Sequence, residues 1–152
     1  MSKIVIVGGV AGGATAAARL RRLNEHDEII LFERDEYISF ANCGLPYYIG
    51  GVIEDREQLL VQTLEGMSTR YRLDIRNFSE VVAIQRETKT IRVFDKRKQT
   101  SYEESYDTLI LAPGSNPMVP PFSGGEASEC IFTLRNIPDT DAIKSFIQEK
   151  NP

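Results

Sequence analysis

Histidine and cysteine are scarce in this chain, and that scarcity removes several chemistries at once. The one histidine, His26, sits among charged residues, so a histidine-based metal site or catalytic triad is not expected. The two cysteines, Cys43 and Cys130, lie far apart and without metal-ligand spacing. No metal is therefore expected, and a reducing, cytoplasmic setting is the natural reading. No apolar run reaches membrane-spanning length, and Met1-Ser2-Lys3 leads straight into a strand-like run, unlike a signal peptide. Positive charge is not in excess either. A net charge of -4 and a pI near 5.1 argue against nucleic acid or an anionic membrane as the main partner. Internal repeats and low-complexity tracts are absent. The 152 residues suffice for one domain with a real core. The ending Lys150-Asn151-Pro152 follows a helical pattern and reads as a cut.

What is present begins with Lys3 to Val7, a β-branched run typical of a central parallel strand. Gly8-Gly9-Val10-Ala11-Gly12-Gly13 follows at once, then Ala14 to Leu23 reads as a helix, and Glu28 to Phe32 as a second strand ending in Glu33. Strand, glycine turn, helix, strand and acid are the parts of a dinucleotide-binding βαβ unit. Gly8 permits a tight exit from the strand, and Gly13 lets helix and strand approach closely. The helix start presents unpaired N–H groups to a pyrophosphate. Glu33 falls about 20 residues past the last glycine, where a carboxylate can accept hydrogen bonds from an adenosine ribose. One departure is Val10, which stands where G-x-G-x-x-G has its middle glycine. The alternative is a glycine-rich packing turn that holds no ligand.

The second feature is Ser39-Phe40-Ala41-Asn42-Cys43-Gly44-Leu45-Pro46-Tyr47-Tyr48. Breakers on both sides force a turn, with a helix starting at or just after the cysteine. A helix start favours thiolate, the reactive form, so the stretch reads as a nucleophile or redox centre. Taken alone, Cys43 reads more readily as a small buried apolar residue, and the stretch before it tips the balance. On the first helix, Arg19 and Arg22 share a face while Arg21 points elsewhere. They read as a solvated face, or as an anion clamp if a phosphorylated substrate approaches Cys43.

Further along, short helices are expected at Glu57–Leu60 and Gly66–Tyr71, with Gly66 as a break, and a short extended piece at Leu73–Ile75. Glu80–Gln85, Thr90–Phe94 and Gln99–Tyr106 read as a β-meander with a turn at Glu87–Lys89. Thr108–Ala112 reads as a buried strand returning to the first sheet. Pro117–Gly125 reads as a linker or domain border, and Asp139–Glu149 as an amphipathic helix with Ile143, Phe146 and Ile147 on one side. Cys130 is taken as a structural residue.

Three segments together, Gly8–Gly13 with Glu33, Ser39–Tyr48, and Tyr106–Gly114, resemble the N-terminal FAD-binding part of the flavin- and pyridine-nucleotide-dependent disulfide oxidoreductases. The subgroup most like it is that of coenzyme A-disulfide reductase, with NADH oxidase, NADH peroxidase and persulfide reductase relatives. The resemblance covers essentially the whole chain. It implies an α/β, Rossmann-like FAD-binding domain with an inserted β-meander, incomplete relative to the full family fold. Residues 1–117 would form the FAD-binding segment with the redox cysteine. Residues 118–152 would form a linker and the start of a segment leading to an NAD(P)H-binding domain.

By that resemblance, Gly8, Val10, Ala11, Gly12 and Gly13 would line the pyrophosphate of FAD. Glu33 and Arg34 would flank the adenosine ribose, Val82 would meet the adenine through its backbone, and Ala112 and Gly114 would pass near the flavin side. Cys43 would be the redox nucleophile, with Ser39 and Asn42 contacting the thiol substrate or the sulfur. Thr15, Arg19 and Arg22 match positions that hold coenzyme A phosphates and pantetheine. Dithiol relatives carry a second cysteine where this chain has Tyr48, so Cys43 would cycle through a mixed disulfide or a sulfenic acid. Oxidase and peroxidase relatives place a histidine where this chain has Ala11, which argues for thiol chemistry over oxygen or peroxide chemistry. The expectation is an NAD(P)H-dependent, FAD-containing reductase of coenzyme A disulfide or a coenzyme A persulfide, dimeric at full length, of which this chain is an N-terminal fragment inactive by itself. The alternatives are an oxidase or peroxidase relative using a sulfenic acid, a non-catalytic nucleotide-binding module, and a flavin-free thiol sensor.

Overall fold

The computed structural model describes residues 1–121 and 129–150. Residues 122–128 of the expected Pro117–Gly125 linker, and the last two residues, lie outside the described residues. In chain order the elements are β1 (Lys3–Val7), α1 (Ala11–Leu23), β2 (Glu28–Phe32), α2 (Leu45–Ile49), α3 (Leu64–Tyr71), β3 (Asp74–Arg76), β4 (Ser79–Gln85), β5 (Thr90–Asp95), β6 (Thr100–Ser105), β7 (Thr108–Leu111) and α4 (Ile137–Lys150). Short 3-10 turns occupy Asn42–Gly44 and Arg56–Leu59.

The chain divides into two compact units, Met1–Phe40 with Leu60–Gly114, and Ala41–Leu59 with Ser115–Pro152. The stretch from Ala41 to Leu59, which carries Cys43, belongs to the second of these units.

In the first unit a parallel sheet runs in the order β3-β2-β1-β7. The expected βαβ unit and return strand are both present, with Val7 opposite Phe32 on one side and Leu111 on the other. The β-branched run of β1 is buried because both faces are covered. Ile4 and Ile6 pack with Ile29, Leu31, Met67 and the small residues Ala14, Ala17 and Ala18 of α1. Val5, Ile30 and Phe32 pack with Ile91 and Val93 of the meander. That meander is a separate antiparallel sheet, β4-β5-β6.

Two helix starts in the first unit differ from expectation. Helix α1 begins at Ala11, three residues earlier than the sequence suggests, so that Gly12 and Gly13 belong to its first turn. Gly66 is no break: its N–H donates to Thr63 Oγ1 at 3.1 Å, capping the first turn of α3. Helix α3 instead ends at Arg72, in the left-handed region at φ +47°.

The second unit holds α2 and α4. Asn136 and Asp139 cap α4 reciprocally: the Asp139 N–H donates to Asn136 Oδ1 at 2.9 Å, and the Asn136 N–H to Asp139 Oδ2 at 3.3 Å. This sets the helix start at Ile137, which is fully buried, two residues before the expected Asp139. The Phe132 and Phe146 rings meet at 5.1 Å. Cys130, expected to be structural, is exposed in a turn.

The glycines of α1 are not equivalent. A Cβ on Gly13 would lie 1.7 Å from the Gly8 carbonyl oxygen, whereas one on Gly12 would meet nothing closer than Ala112 Cβ at 3.4 Å. Gly13→Ala is expected to destabilise the fold by about 3 kcal/mol or more. Gly12→Ala is expected to be neutral, or stabilising by up to about 1 kcal/mol. Urea unfolding of the two variants checks both.

Candidate functional site

Where β1 ends, Gly8 takes φ +98°, and a Cβ there would sit 2.0 Å from the Ala112 carbonyl oxygen. Only glycine permits both the torsion and that approach. The turn therefore brings together Gly8 and the Ala112–Gly114 segment, whose Gly114 also has positive φ, at +71°. Val10 precedes α1 and offers no side-chain cap, and the first turn carries no acidic residue. The α1 amides at Ala11, Gly12 and Gly13 thus face outward from a helix start with its partial positive charge intact.

Glu33 is the buried partner of this turn, 6% exposed. Its Oε2 accepts the Gly9 N–H at 2.7 Å, and its Oε1 accepts the Asp35 N–H at 3.0 Å. A carboxylate offers about four acceptor positions, so both oxygens retain capacity. Glu33 lines a cleft together with Gly8, Phe32 and Arg34. The opposite wall is Ser79, Glu80 and Val81 from the meander, with Pro113 beside it. Val81 lines the cleft, and its neighbour Val82 is 53% exposed. The pairing of β4 slips between Val81 and Ala83, while burial keeps to alternate residues, with Ser79, Val81 and Ala83 covered and Val82 and Ile84 exposed. Ser79–Val81 and Pro113 are lining residues that the sequence did not mark.

A network of charges stands behind the cleft. Arg76 donates to Asp74 at 2.6 and 2.9 Å and to Glu104 at 2.6 Å, and Lys3 also donates to Glu104. Burial works against the charge on Arg76, but its hydrogen bonds to Asp74, Tyr102 and Glu104 outweigh that and hold its pKa above the usual range. Burial likewise favours the neutral form of Glu104, yet the bonds from Lys3 and Arg76 hold its carboxyl below the usual value.

Ser39 adopts φ +47°, donates its N–H to the Gly9 carbonyl at 3.0 Å, and accepts the Val61 N–H at 2.8 Å. On α1, Thr15, Arg19 and Arg22 are all exposed at helical spacing. Arg21 points elsewhere, its guanidinium bound to the carbonyls of Tyr71, Asp27 and Arg72.

In the second unit, Asn42, Cys43 and Gly44 form a 3-10 turn, and α2 begins just after it, at Leu45. Cys43 is exposed and free, so it is not the buried apolar residue that its composition alone allows. Gly44 is buried, and a Cβ on it would come within 3.0 Å of Leu59 Cδ2. Tyr48 lies under Lys144, whose Nζ is 3.5 Å from the ring centroid and 3.3 Å from the Tyr48 carbonyl oxygen. Arg56 holds Asp141 through bonds of 2.7, 3.0 and 3.1 Å.

The donor set of the first unit suits a group that joins a pyrophosphate to a ribose. Uncapped helix amides can take the anion, and a buried carboxylate with free acceptor positions can take hydroxyls. The exposed Cys43 can act in thiol–disulfide exchange. Among the described residues no cluster of three or more His, Cys, Asp or Glu could hold a metal, and no helix is long and apolar enough to cross a membrane.

The family model described as pyridine nucleotide-disulphide oxidoreductase matches residues 2–151. Coenzyme A disulfide reductase of Staphylococcus aureus (strain JH9) is 49% identical over 148 residues, which are 97% of this chain and 33% of that protein. The chain therefore spans about a third of the length of the curated relatives it matches. Among solved structures, reduced Bacillus anthracis CoADR-RHD superposes with a TM-score of 0.97 at 63% identity, over 99% of this chain and 27% of its own. An NAD-dependent persulfide reductase from A. fulgidus gives 0.89 at 30% identity, over 97% and 27% of the two chains. A water-forming NADH oxidase from Lactobacillus brevis gives 0.85 at 29%, over 98% and 33%.

Acidification tests the charge network. Because Glu104 titrates below its ordinary value of 4.5 when folded, its contribution is present at neutral pH and lost as pH falls through the lowered value. The urea midpoint is expected to fall less steeply on acidification below about 4.5 in Glu104→Gln than in the unaltered protein.

Proposed function

The chain belongs to the pyridine nucleotide-disulphide oxidoreductases, and from that premise we propose that it is the FAD-cradling, cysteine-bearing part of a longer reductase of coenzyme A disulfide or a coenzyme A persulfide. The observation that carries the reading is Cys43: an exposed, free sulfur on a short turn, with Tyr48 where a dithiol centre would have its second cysteine. The curated relatives named coenzyme A disulfide reductase and the persulfide reductase support the substrate class.

Gly8, Val10, Ala11, Gly12 and Gly13 would hold the pyrophosphate of FAD. Glu33 and Arg34 would hold the adenosine ribose, Val82 the adenine, and Ala112 and Gly114 the flavin side. Ser79, Glu80, Val81 and Pro113 complete the adenosine cleft. When bound, FAD supplies the two-electron relay from NAD(P)H to sulfur. The Cys43 thiolate attacks one sulfur of the substrate disulfide; the S–S bond breaks, one coenzyme A thiolate leaves, and a Cys43–coenzyme A disulfide forms. Two electrons and one proton then cleave that mixed disulfide, releasing the second coenzyme A thiol and restoring the thiolate. Ser39 and Asn42 orient the sulfur or the substrate thiol, and Thr15, Arg19 and Arg22 receive its phosphates and pantetheine. A reducing compartment such as the cytoplasm keeps the lone thiol available. The full-length protein is read as a homodimer.

The likeness to the water-forming oxidase favours one competing reading, a sulfenic acid at Cys43 serving oxygen or peroxide. Ala11 supplies no acid–base group for that chemistry.

In the full-length protein, Cys43→Ser is expected to lower NAD(P)H-dependent thiol release from coenzyme A disulfide at least about a thousandfold, with the flavin absorbance retained. Release that survives the substitution, or NADH-driven oxygen consumption exceeding thiol release in the unaltered protein, would overturn the reading. The 152-residue chain by itself is expected not to turn over.

A further inference from the structure

A buried carboxylate can select a ribose only if its position is held to within a fraction of an ångström. Glu33 is held by more than its two amide contacts. The connection between β3 and β4 grips the residues around it through the main chain. Glu33 N–H donates to the Arg76 carbonyl at 3.0 Å, and Ser79 N–H donates to the Glu33 carbonyl at 2.9 Å. Phe78 N–H donates to the Asp35 carbonyl at 3.2 Å, and Asn77 Nδ2 to the Glu36 carbonyl at 3.0 Å. Phe78 adopts φ +53°, a costly torsion for a bulky side chain, with the Arg97 guanidinium 4.3 Å above its ring.

Arg76 anchors this grip. Its guanidinium lies 5.3 Å from the Phe32 ring centroid and 5.9 Å from that of Tyr102, while Asp74 and Glu104 take its N–H groups. Phe32 and Glu33 are adjacent and both line the cleft. The Arg76 side chain therefore fixes the first of these residues by its ring, and the Arg76 carbonyl fixes the second by its backbone. A planar fork with five donors can lie flat on aromatic rings and serve two carboxylates at once, which an ammonium cannot do.

We propose that Arg76 is a positioning residue for nucleotide binding: clasped between Phe32, Tyr102, Asp74 and Glu104, it holds Glu33 in register for ribose hydroxyls and so lets the cleft tell ribose from deoxyribose. The inference rests on the reading of that cleft as the adenosine end of a nucleotide site.

The test is calorimetric titration of the full-length, flavin-stripped protein with ADP and with 2′-deoxy-ADP. The unaltered protein is expected to bind ADP about tenfold tighter or more, the worth of a hydrogen bond to a charged acceptor. Arg76→Met is expected to bring that ratio close to one, with Arg76→Lys and Glu104→Gln in between. Those two milder variants carry the test if Arg76→Met does not fold. A residue that merely supports the fold would weaken both nucleotides by the same factor. An unchanged ratio in the folded variants therefore overturns the inference and leaves the nucleotide reading standing. Equal binding of ADP and 2′-deoxy-ADP by the unaltered protein would remove the ribose role of Glu33 itself, and this inference with it.

Discussion

At 2.7 Å, the hydrogen bond from the Gly9 amide to the Glu33 carboxylate ties the end of β2 to the turn that ends β1. A carboxylate removed from water costs several kcal/mol unless polar partners replace the lost solvation, roughly in proportion to its burial. Two backbone amides supply part of that replacement and leave acceptor positions open. A buried anion with spare acceptors is best matched by neutral donors, such as hydroxyls, and is repelled by a second anion. The geometry around it follows from this requirement. The glycine turn must pass close enough to donate its amide, so Gly8 must take a positive φ against Ala112. Helix α1 must then start directly over the Gly8 carbonyl, where Gly13 leaves no room for a side chain.

The second unit leaves the Cys43 sulfur exposed on a short 3-10 turn. Its ion pair and cation–π contact are conspicuous but partly exposed, and such contacts contribute about 1 kcal/mol or less each. Packing contributes more: Leu45, Leu59 and Ile137 are buried, and Gly44 sits tightly against Leu59. The excursion from Ala41 to Leu59 is also closed at its base, because the Ala41 N–H donates to the Leu59 carbonyl at 2.8 Å. Pairing the two ends removes most of the freedom that a loop of this length would otherwise keep.

Much of this was legible in the residues and some was not, for identifiable reasons. Parallel strands buried on both faces show as unbroken β-branched runs, so β1 and β2 could be read to the residue. The spacing from Gly13 to Glu33 carries the βαβ unit because chain geometry leaves little choice about where the second strand ends. Gly12 and Gly13 hid the start of α1, since poor intrinsic propensity is overridden by the need for a small residue at a close contact. Gly66 misled in the same direction: its N–H completes a local cap with Thr63, and the first turn of a capped helix tolerates a glycine. Val81 went unmarked as a cleft residue because alternation alone does not say which face of β4 meets the first sheet. The Arg76 clasp could not be read at all: Phe32, Asp74 and Tyr102 meet only once the register of two sheets is set.

In the proposed exchange, the presence of Tyr48 where a dithiol centre has its second cysteine has a chemical consequence. A dithiol centre can store two electrons within itself by forming its own disulfide; a lone sulfur cannot, and would stay bound to its substrate or oxidised to a sulfenic acid until electrons arrive. Such a sulfur would have to be reachable by a bulky disulfide, and Cys43 is exposed where free cysteines are usually buried. Tyr48, with Lys144 over its ring and bound to its carbonyl, brings no second thiol to this turn. The proposed exchange therefore asks of the turn an accessible single sulfur, and Cys43 offers one.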